Sequence, residues 1–260
     1  GTTGESATLS HDQHVEVIEA VTDAVDDVPV IAGSGSNNTR EALELSERAA
    51  DAGADGLLLI SPYYNKPEPA GMENHFRQVA DAVSLPQIIY NVPSRTGRNI
   101  AVESAVNLAE HENIVGYKAA SGDMNRITEV IERTREENFA ILSGDDAMTL
   151  PIIATGGSGC ISVSANVEPA RTCALVGAAL SGDFERAREY HHELGPLFRA
   201  LFMVSNPIPV KEDMEIRGHY DSGRMRSPLN RMNETDLDHL REVLADLEDG
   251  EIPEVAEAGE

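Results

Sequence analysis

Lysine occurs only at Lys66, Lys118 and Lys211, and one of the three stands where an amine could do chemistry. Lys118 ends the apolar run Asn113-Ile-Val-Gly-Tyr-Lys and opens a polar stretch, Lys118-Ala-Ala-Ser-Gly-Asp. A lysine at the mouth of a buried strand is partly stripped of water, which lowers its pKa and frees the amine to attack a carbonyl carbon. The product would be a Schiff base, the covalent route for activating a keto acid. The same placement also suits a buried ammonium paired with Asp145 or Asp146. Tyr90 ends the preceding apolar run, Ile88-Ile-Tyr-Asn-Val-Pro. A phenol there can relay a proton to and from a carbinolamine, or can pack as a rim aromatic. Arg95 follows in Pro-Ser-Arg-Thr-Gly, where a guanidinium fork suits a substrate carboxylate or a surface ion pair. The opening Gly1-Thr-Thr-Gly-Glu sets two hydroxyls and glycine backbone before a helix pattern starting near Ser10, a combination that can hold a carboxylate or serve as a capped loop.

These groups can converge only if strand ends lie side by side. Short apolar runs recur at Val28–Ala32, Gly56–Ile60, Leu85–Tyr90, Ile114–Lys118, Phe139–Leu142 and Cys160–Val163. Between them, stretches such as Arg40–Ala52 and Glu73–Val83 carry apolar residues at three- and four-residue spacing, as amphipathic helices do. Gly53 is placed to stop the first of these. Nearly continuous apolar strands alternating with helices predict a parallel sheet covered by helices. A doubly wound sheet and a (β/α)8 TIM barrel both fit. The regular period and the polar residues after each strand favour the barrel, whose site is built at that end. Helices over 170–180, 184–203 and 235–247 are expected next, then a frayed tail from Glu248. Six strands are two short of a closed barrel.

Composition narrows the class. Twenty basic against 45 acidic residues leave a net charge of −25, which excludes the basic surface a nucleic-acid binder needs. Apolar residues at 41% suffice for a core, and with aromatics at 4% and no Trp that core must be aliphatic. Cys160 and Cys173 make neither a disulfide framework nor a metal cluster. No apolar run approaches the ~20 residues of a membrane span, and nothing at the start resembles a signal peptide. A soluble, cytoplasmic chain is expected. A carboxylate surplus with so few lysines resembles proteins of salt-accumulating microbes, since molar salt cuts the Debye length to ~3 Å. An ordinary acidic enzyme or an acidic partner-binding surface is the alternative.

Taken together, Gly1-Thr-Thr-Gly-Glu-Ser-Ala-Thr-Leu, Ser61-Pro-Tyr-Tyr-Asn-Lys-Pro, Tyr90-Asn-Val-Pro-Ser-Arg-Thr-Gly, Val115-Gly-Tyr-Lys-Ala-Ala-Ser-Gly-Asp, Ser143-Gly-Asp-Asp, Gly159-Cys-Ile-Ser-Val-Ser-Ala-Asn and Asn206-Pro-Ile-Pro-Val-Lys resemble the dihydrodipicolinate synthase family. That family lies in the pyruvate-aldolase superfamily, which includes N-acetylneuraminate lyase. The resemblance implies condensation of pyruvate with aspartate semialdehyde, toward lysine and diaminopimelate, with no metal or organic cofactor. Lys118 would form the imine, Tyr90 would donate and accept protons, and Thr2 with Tyr64 would complete a relay. Thr3 and the backbone at Ile161, with Gly144, would bind pyruvate, and Arg95 the semialdehyde carboxylate. The second tyrosine of Tyr63-Tyr64 would enter a neighbouring subunit, so a homodimer or homotetramer is implied. His14, Asn37, Glu41 and Tyr63 match positions that bind lysine as a feedback inhibitor in some members.

The resemblance further implies that Gly-Thr-Thr-Gly-Glu ends the second barrel strand. The first strand, its helix and most of the second strand would then be missing ahead of Gly1. On this reading residues 1–167 carry the barrel units from the end of strand 2 to strand 8, 168–250 the last barrel helix and the C-terminal helices, and 251–260 a flexible acidic tail. Two departures are Ala119, where the family often has Glu, and Tyr117, in place of a more usual aliphatic residue. Rival readings are a pyruvate-dependent aldolase acting on 2-keto-3-deoxy sugar acids, and an inactive truncated remnant that binds a metabolite or partner. His11-x-x-His14 lacks further metal ligands, Gly33-Ser-Gly-Ser lacks the lysine of a phosphate loop, and Asp145-Asp146 reads as a hydrogen-bonding loop.

Overall fold

The computed structural model describes residues 1–248, so the expected acidic tail over 251–260 lies outside the described residues. Strands and helices alternate in the order expected: α1 (His11–Ala24), β1 (Ile31–Gly33), α2 (Thr39–Asp51), β2 (Gly56–Ile60), α3 (Pro69–Ala82), β3 (Gln87–Asn91), α4 (Pro93–Thr96), α5 (Val102–Ala109), β4 (Ile114–Ala119), α6 (Met124–Thr134), β5 (Ala140–Ser143), α7 (Thr149–Ala154), β6 (Gly159–Cys160), α8 (Pro169–Leu180), α9 (Phe184–Ala200), α10 (Ile208–Ile216) and α11 (Glu234–Glu248). The six strands follow one another in chain order in one sheet. The pairs β1–β2, β2–β3 and β3–β4 are parallel. The fold class is α/β, as the repeating period predicts.

Local chemistry explains most boundaries. Ser10 caps α1 reciprocally with Gln13, each backbone N–H donating to the other's side chain at 3.2 Å. Gly53 ends α2 at φ +88°. Its N–H donates to Ala50 O and that of Ala54 to Ala49 O, the paired bonds of a Schellman stop. Two strands are shorter than their apolar runs by two residues, β1 and β6. The first loses Val28 to Val30: Pro29 has no N–H, and the amide of Val30 donates to the Asp55 carboxylate at 2.8 Å. The last ends at Cys160, because the amides of Val163 and Ser164 go to Asp146 Oδ2 at 3.1 and 3.0 Å. Asp146 thus holds a loop by hydrogen bonds, in keeping with the sequence reading. Gly35 owes its place to a close approach: a Cβ there would collide with the backbone N of Ile60 at the end of β2.

The chain divides into two compact units. One comprises residue 1, residues 9–142 and 155–158; the other comprises residues 2–8, 143–154 and the chain from 159 onward. In the first, α1, α2, α3, α5 and α6 pack successively on one another. Their core is mostly aliphatic, with Phe76, Tyr90, Tyr117 and Phe139 as its aromatics, and Leu57, Leu59, Val79, Ile89 and Leu108 in it are fully buried. In the second, Leu150, Leu175, Leu194, Leu197, Leu201, Val210 and Leu240 join the helices α7 to α11. Arg171, 2% exposed, is bound there by Glu168 at 2.8 Å, Glu193 at 2.6 Å and the Leu247 carbonyl at 3.0 Å. Glu168 also accepts from Arg217, so these buried charges are paired, as burial demands.

His75 on α3 gives the first unit a measurable pH dependence. The ring is 3% exposed, and Nδ1 lies 3.0 Å from the Thr39 hydroxyl on α2. Burial pushes its pKa down from 6.5 to about 4. The unfolded chain therefore takes up this proton first, and the stability tied to the neutral ring is complete above pH 6.5 and lost as pH falls toward about 4. Urea titrations across that interval are expected to show the decline, and His75→Gln to flatten it. An unchanged slope in the variant would remove His75 as the cause.

Candidate active site

Tyr90 on β3 and Lys118 on β4 are partners in the parallel register. Alternation along a strand sends their side chains to the same face. Lys118 Nζ lies 4.2 Å from the centroid of the Tyr90 ring. Tyr90 is 7% exposed and Lys118 half-buried. Two residues 28 positions apart in sequence thus form one unit: an amine set over the face of a phenol. Contact with the negative ring face favours the charged ammonium, whereas partial burial favours the neutral amine. The same alternation disposes of both departures noted above. Tyr117 and Ala119, each 1% exposed, flank Lys118 and project to the opposite face of the strand. Burial also pushes the Tyr117 phenol up, well away from a role as proton donor near neutrality.

The loops after β2, β3 and β4 are tied together around this pair. The Ser61 N–H donates to Tyr90 O at 3.0 Å, and the Ala120 N–H to Asn91 O at 2.9 Å. Arg95 is exposed on α4, a single turn where the sequence predicts a turn. Asn91, fully buried, anchors that turn: its Oδ1 accepts from the Ile100 N–H at 2.9 Å and its Nδ2 donates to Asn99 Oδ1 at 3.0 Å. The loop after β2 is braced against the same turn. Glu68 pairs with Arg98 at 2.8 Å, and the Lys66 side chain lies across Gly97. In that loop Tyr64 and Lys66 adopt φ +70° and +46°, left-handed values that are uncommon for such residues. Tyr64 is 89% exposed and Tyr63 is 37% exposed. The bracing roles of Asn91, Glu68 and Lys66 were not legible in the sequence, because each is an ordinary polar residue until its partner is placed.

Three of the four lysine-site candidates, His14, Asn37 and Glu41, gather at the end of β1 and the β1–α2 connection. His14 Nε2 lies 2.6 Å from Gly33 O, Glu41 accepts from the Ser36 hydroxyl at 2.8 Å, and the Asn37 carbonyl accepts from Asn65, beside the Tyr63-Tyr64 pair, at 2.8 Å. Burial holds the His14 pKa below its ordinary value. Among the described residues no group of three or more His, Cys, Asp or Glu could hold a metal ion, so His11 and His14 make no such site.

The second unit carries Thr2, Thr3, Gly144 and Ile161. Thr2 and Thr3 are half-buried in a turn closed by the Glu5 N–H donating to Thr2 O at 3.1 Å. Asn206 Nδ2 donates to Thr3 Oγ1 at 3.0 Å. Gly144 is half-buried after β5, and the Ile161 N–H already donates to Ser143 O at 2.8 Å, which leaves its carbonyl as the other backbone group there. Asn206 is a further residue that sequence patterns place in a motif without revealing its contact.

Comparison with known proteins bears on this arrangement. The model of the dihydrodipicolinate synthetase family matches residues 1–247. The 4-hydroxy-tetrahydrodipicolinate synthase of Natronomonas pharaonis is 78% identical over 248 residues, covering 95% of this chain and 84% of its own. That of Haloarcula marismortui is 70% identical over 259 residues, covering 99% of this chain and 84% of its own. Among solved structures, the chloride-inhibited dihydrodipicolinate synthase of Acinetobacter baumannii complexed with pyruvate superposes with a TM-score of 0.92 at 42% identity, covering 95% of this chain and 85% of its own.

Proposed function

The chain belongs to the dihydrodipicolinate synthetase family, and from that membership we propose that it condenses pyruvate with L-aspartate 4-semialdehyde through an imine on Lys118. The observation that carries the reading is the Lys118 nitrogen, 4.2 Å from the Tyr90 ring at register-paired strand ends. The Lys118 amine adds to the keto carbon of pyruvate, and loss of water leaves the imine. Loss of a methyl proton then yields an enamine whose carbon attacks the aldehyde. Tyr90 moves protons to and from the carbinolamine, with Thr2 and Tyr64 as the remainder of the relay. Thr3 takes the pyruvate carboxylate with the backbone at Gly144 and Ile161, and Arg95 takes the carboxylate of the semialdehyde. The α-amine brought in by the semialdehyde then attacks the imine carbon, closes a six-membered ring and expels the Lys118 amine, giving 4-hydroxy-tetrahydrodipicolinate and the free lysine.

The exposed, left-handed Tyr64 supports a homodimeric or homotetrameric assembly in which that ring serves a neighbouring site. Lysine feedback through His14, Asn37, Glu41 and Tyr63 is part of the same reading, supported by His14, Asn37 and Glu41 gathering at the end of β1 and the connection that follows it, to which Asn65, two residues after Tyr63, is bonded. Strands alternating with helices in an ordered sheet support the (β/α)8 architecture. A cytoplasmic setting is supported by the lack, among the described residues, of any helix long and apolar enough to cross a membrane, and by Cys160 and Cys173 forming no disulfide there.

The names of the similar proteins favour this reading over a sugar-acid aldolase. Assays in molar KCl, which screens the net charge of −25, should show condensation of pyruvate with the semialdehyde outpacing that with glyceraldehyde. A preference for glyceraldehyde would transfer the assignment to the aldolase.

A further inference from the structure

We propose that Asn206 is a positioning residue for the keto acid: its side-chain amide sets the direction in which the Thr3 hydroxyl offers its proton. A threonine hydroxyl has one proton and two lone pairs. Asn206 Nδ2 donates into Thr3 Oγ1 at 3.0 Å. With that lone pair occupied, the O–H proton must point away from Asn206, where an anion can accept it. Both residues belong to the same compact unit.

The backbone carrying Thr3 is held from the same short stretch, Asn206-Pro-Ile-Pro-Val-Lys. Glu5, two residues after Thr3, is 8% exposed and sits at φ +54°, a left-handed value that a glutamate keeps only under constraint. The constraint is visible on both carboxylate oxygens. Oε1 accepts from Lys211 Nζ at 2.5 Å, and Oε2 from the Arg226 N–H at 2.7 Å. Lys211 is in turn fixed by donating to Arg224 O at 2.7 Å. The start of α10 therefore supplies two anchors five residues apart, one on the Thr3 hydroxyl and one on the strained Glu5. Together they immobilise Thr2 to Glu5 before substrate arrives, which lowers the ordering cost of recognition. Lys211 thereby acquires a role in holding this turn.

The inference rests on the assignment of Thr3 to the pyruvate carboxylate, so the test is a double-mutant cycle of Asn206→Ala and Thr3→Val in the full chain. Asn206→Ala is expected to raise the pyruvate KM about tenfold, the size of one misdirected hydrogen bond to a charged group. The semialdehyde KM should move less than twofold and kcat only slightly. In the Thr3→Val background the same substitution should change the pyruvate KM by less than about twofold, since no hydroxyl remains to direct. The isosteric Asn206→Asp keeps the packing but accepts from Thr3 and turns its proton inward; a pyruvate KM at least as high as that of Asn206→Ala is expected. An equal rise with and without the Thr3 hydroxyl would reduce Asn206 to a structural residue, and an unchanged KM in both Asn206 variants would overturn the proposal outright. If Thr3→Val alone leaves the pyruvate KM unchanged, the assignment of Thr3 fails first and takes the proposal with it. Pyruvate-dependent trapping on Lys118 would still proceed in that case and separates the two failures from loss of the reaction itself.

Discussion

Lys118→Ala is expected to abolish the covalent pyruvate adduct and to lower turnover by on the order of 10⁴ or more, since removal of a nucleophile on which the other groups act is never a partial loss. Borohydride reduction in the presence of pyruvate, followed by mass spectrometry of the peptide spanning β4, reads the first effect directly. In the unsubstituted protein the adduct should map to Lys118 rather than to Lys66 or Lys211, and the structure says why. Lys211 is committed to Glu5 and the Arg224 carbonyl, while Lys66 is exposed across Gly97. Lys118 alone of the three is set over a buried phenol. Lys118→Arg separates charge from nucleophilicity: it keeps a cation over the ring but forms no imine, so it should be as inactive as alanine. Substantial turnover in either variant, or an adduct on another lysine, would end the Schiff-base reading.

Tyr90→Phe isolates the hydroxyl. Phenylalanine preserves the ring face opposite Lys118 and the burial at the end of β3, so stability and the strand register should be unchanged. The proton path is lost. A positioned general acid–base contributes typically 10²- to 10⁴-fold, and kcat should fall within that range. The imine should still form, more slowly, because carbinolamine collapse needs a proton donor and water is a poor substitute for a fixed one. Single-turnover trapping with pyruvate alone should therefore lose rate but keep amplitude. If Tyr90→Phe retains full kcat, the phenol is a packing aromatic and another group moves the proton. If it instead loses the adduct amplitude altogether, the ring contact is positioning the amine and the hydroxyl is incidental.

The strand–helix alternation was legible because each element satisfies its own local rule. The run Gly56–Ile60 is apolar throughout and stands as β2 without change of boundary. The helix after Ser10 announces itself by a capping pair, and the helix before Gly53 by its stop. The two largest misjudged ends occur where a side chain from elsewhere takes a backbone amide, Asp55 at Val30 and Asp146 at Val163 and Ser164. No window of sequence around Val28 or Val163 contains that information, because the competing acceptor is distant along the chain.

The identities of the chemical groups were in the sequence by itself: a lysine and a tyrosine ending successive strands, an arginine in a tight turn, two threonines between glycines. Residue type and strand periodity suffice for that, since reactivity is a property of the side chain and strand ends are a property of local hydrophobic pattern. Which groups touch was decided only by the tertiary structure. Parallel register sets Lys118 against Tyr90, and the chain's far end brings Asn206 to Thr3 across 203 positions. Contacts of that kind arise from long-range packing, where loop closure and burial are settled jointly by the whole fold, so they leave no periodic trace in the segments that make them.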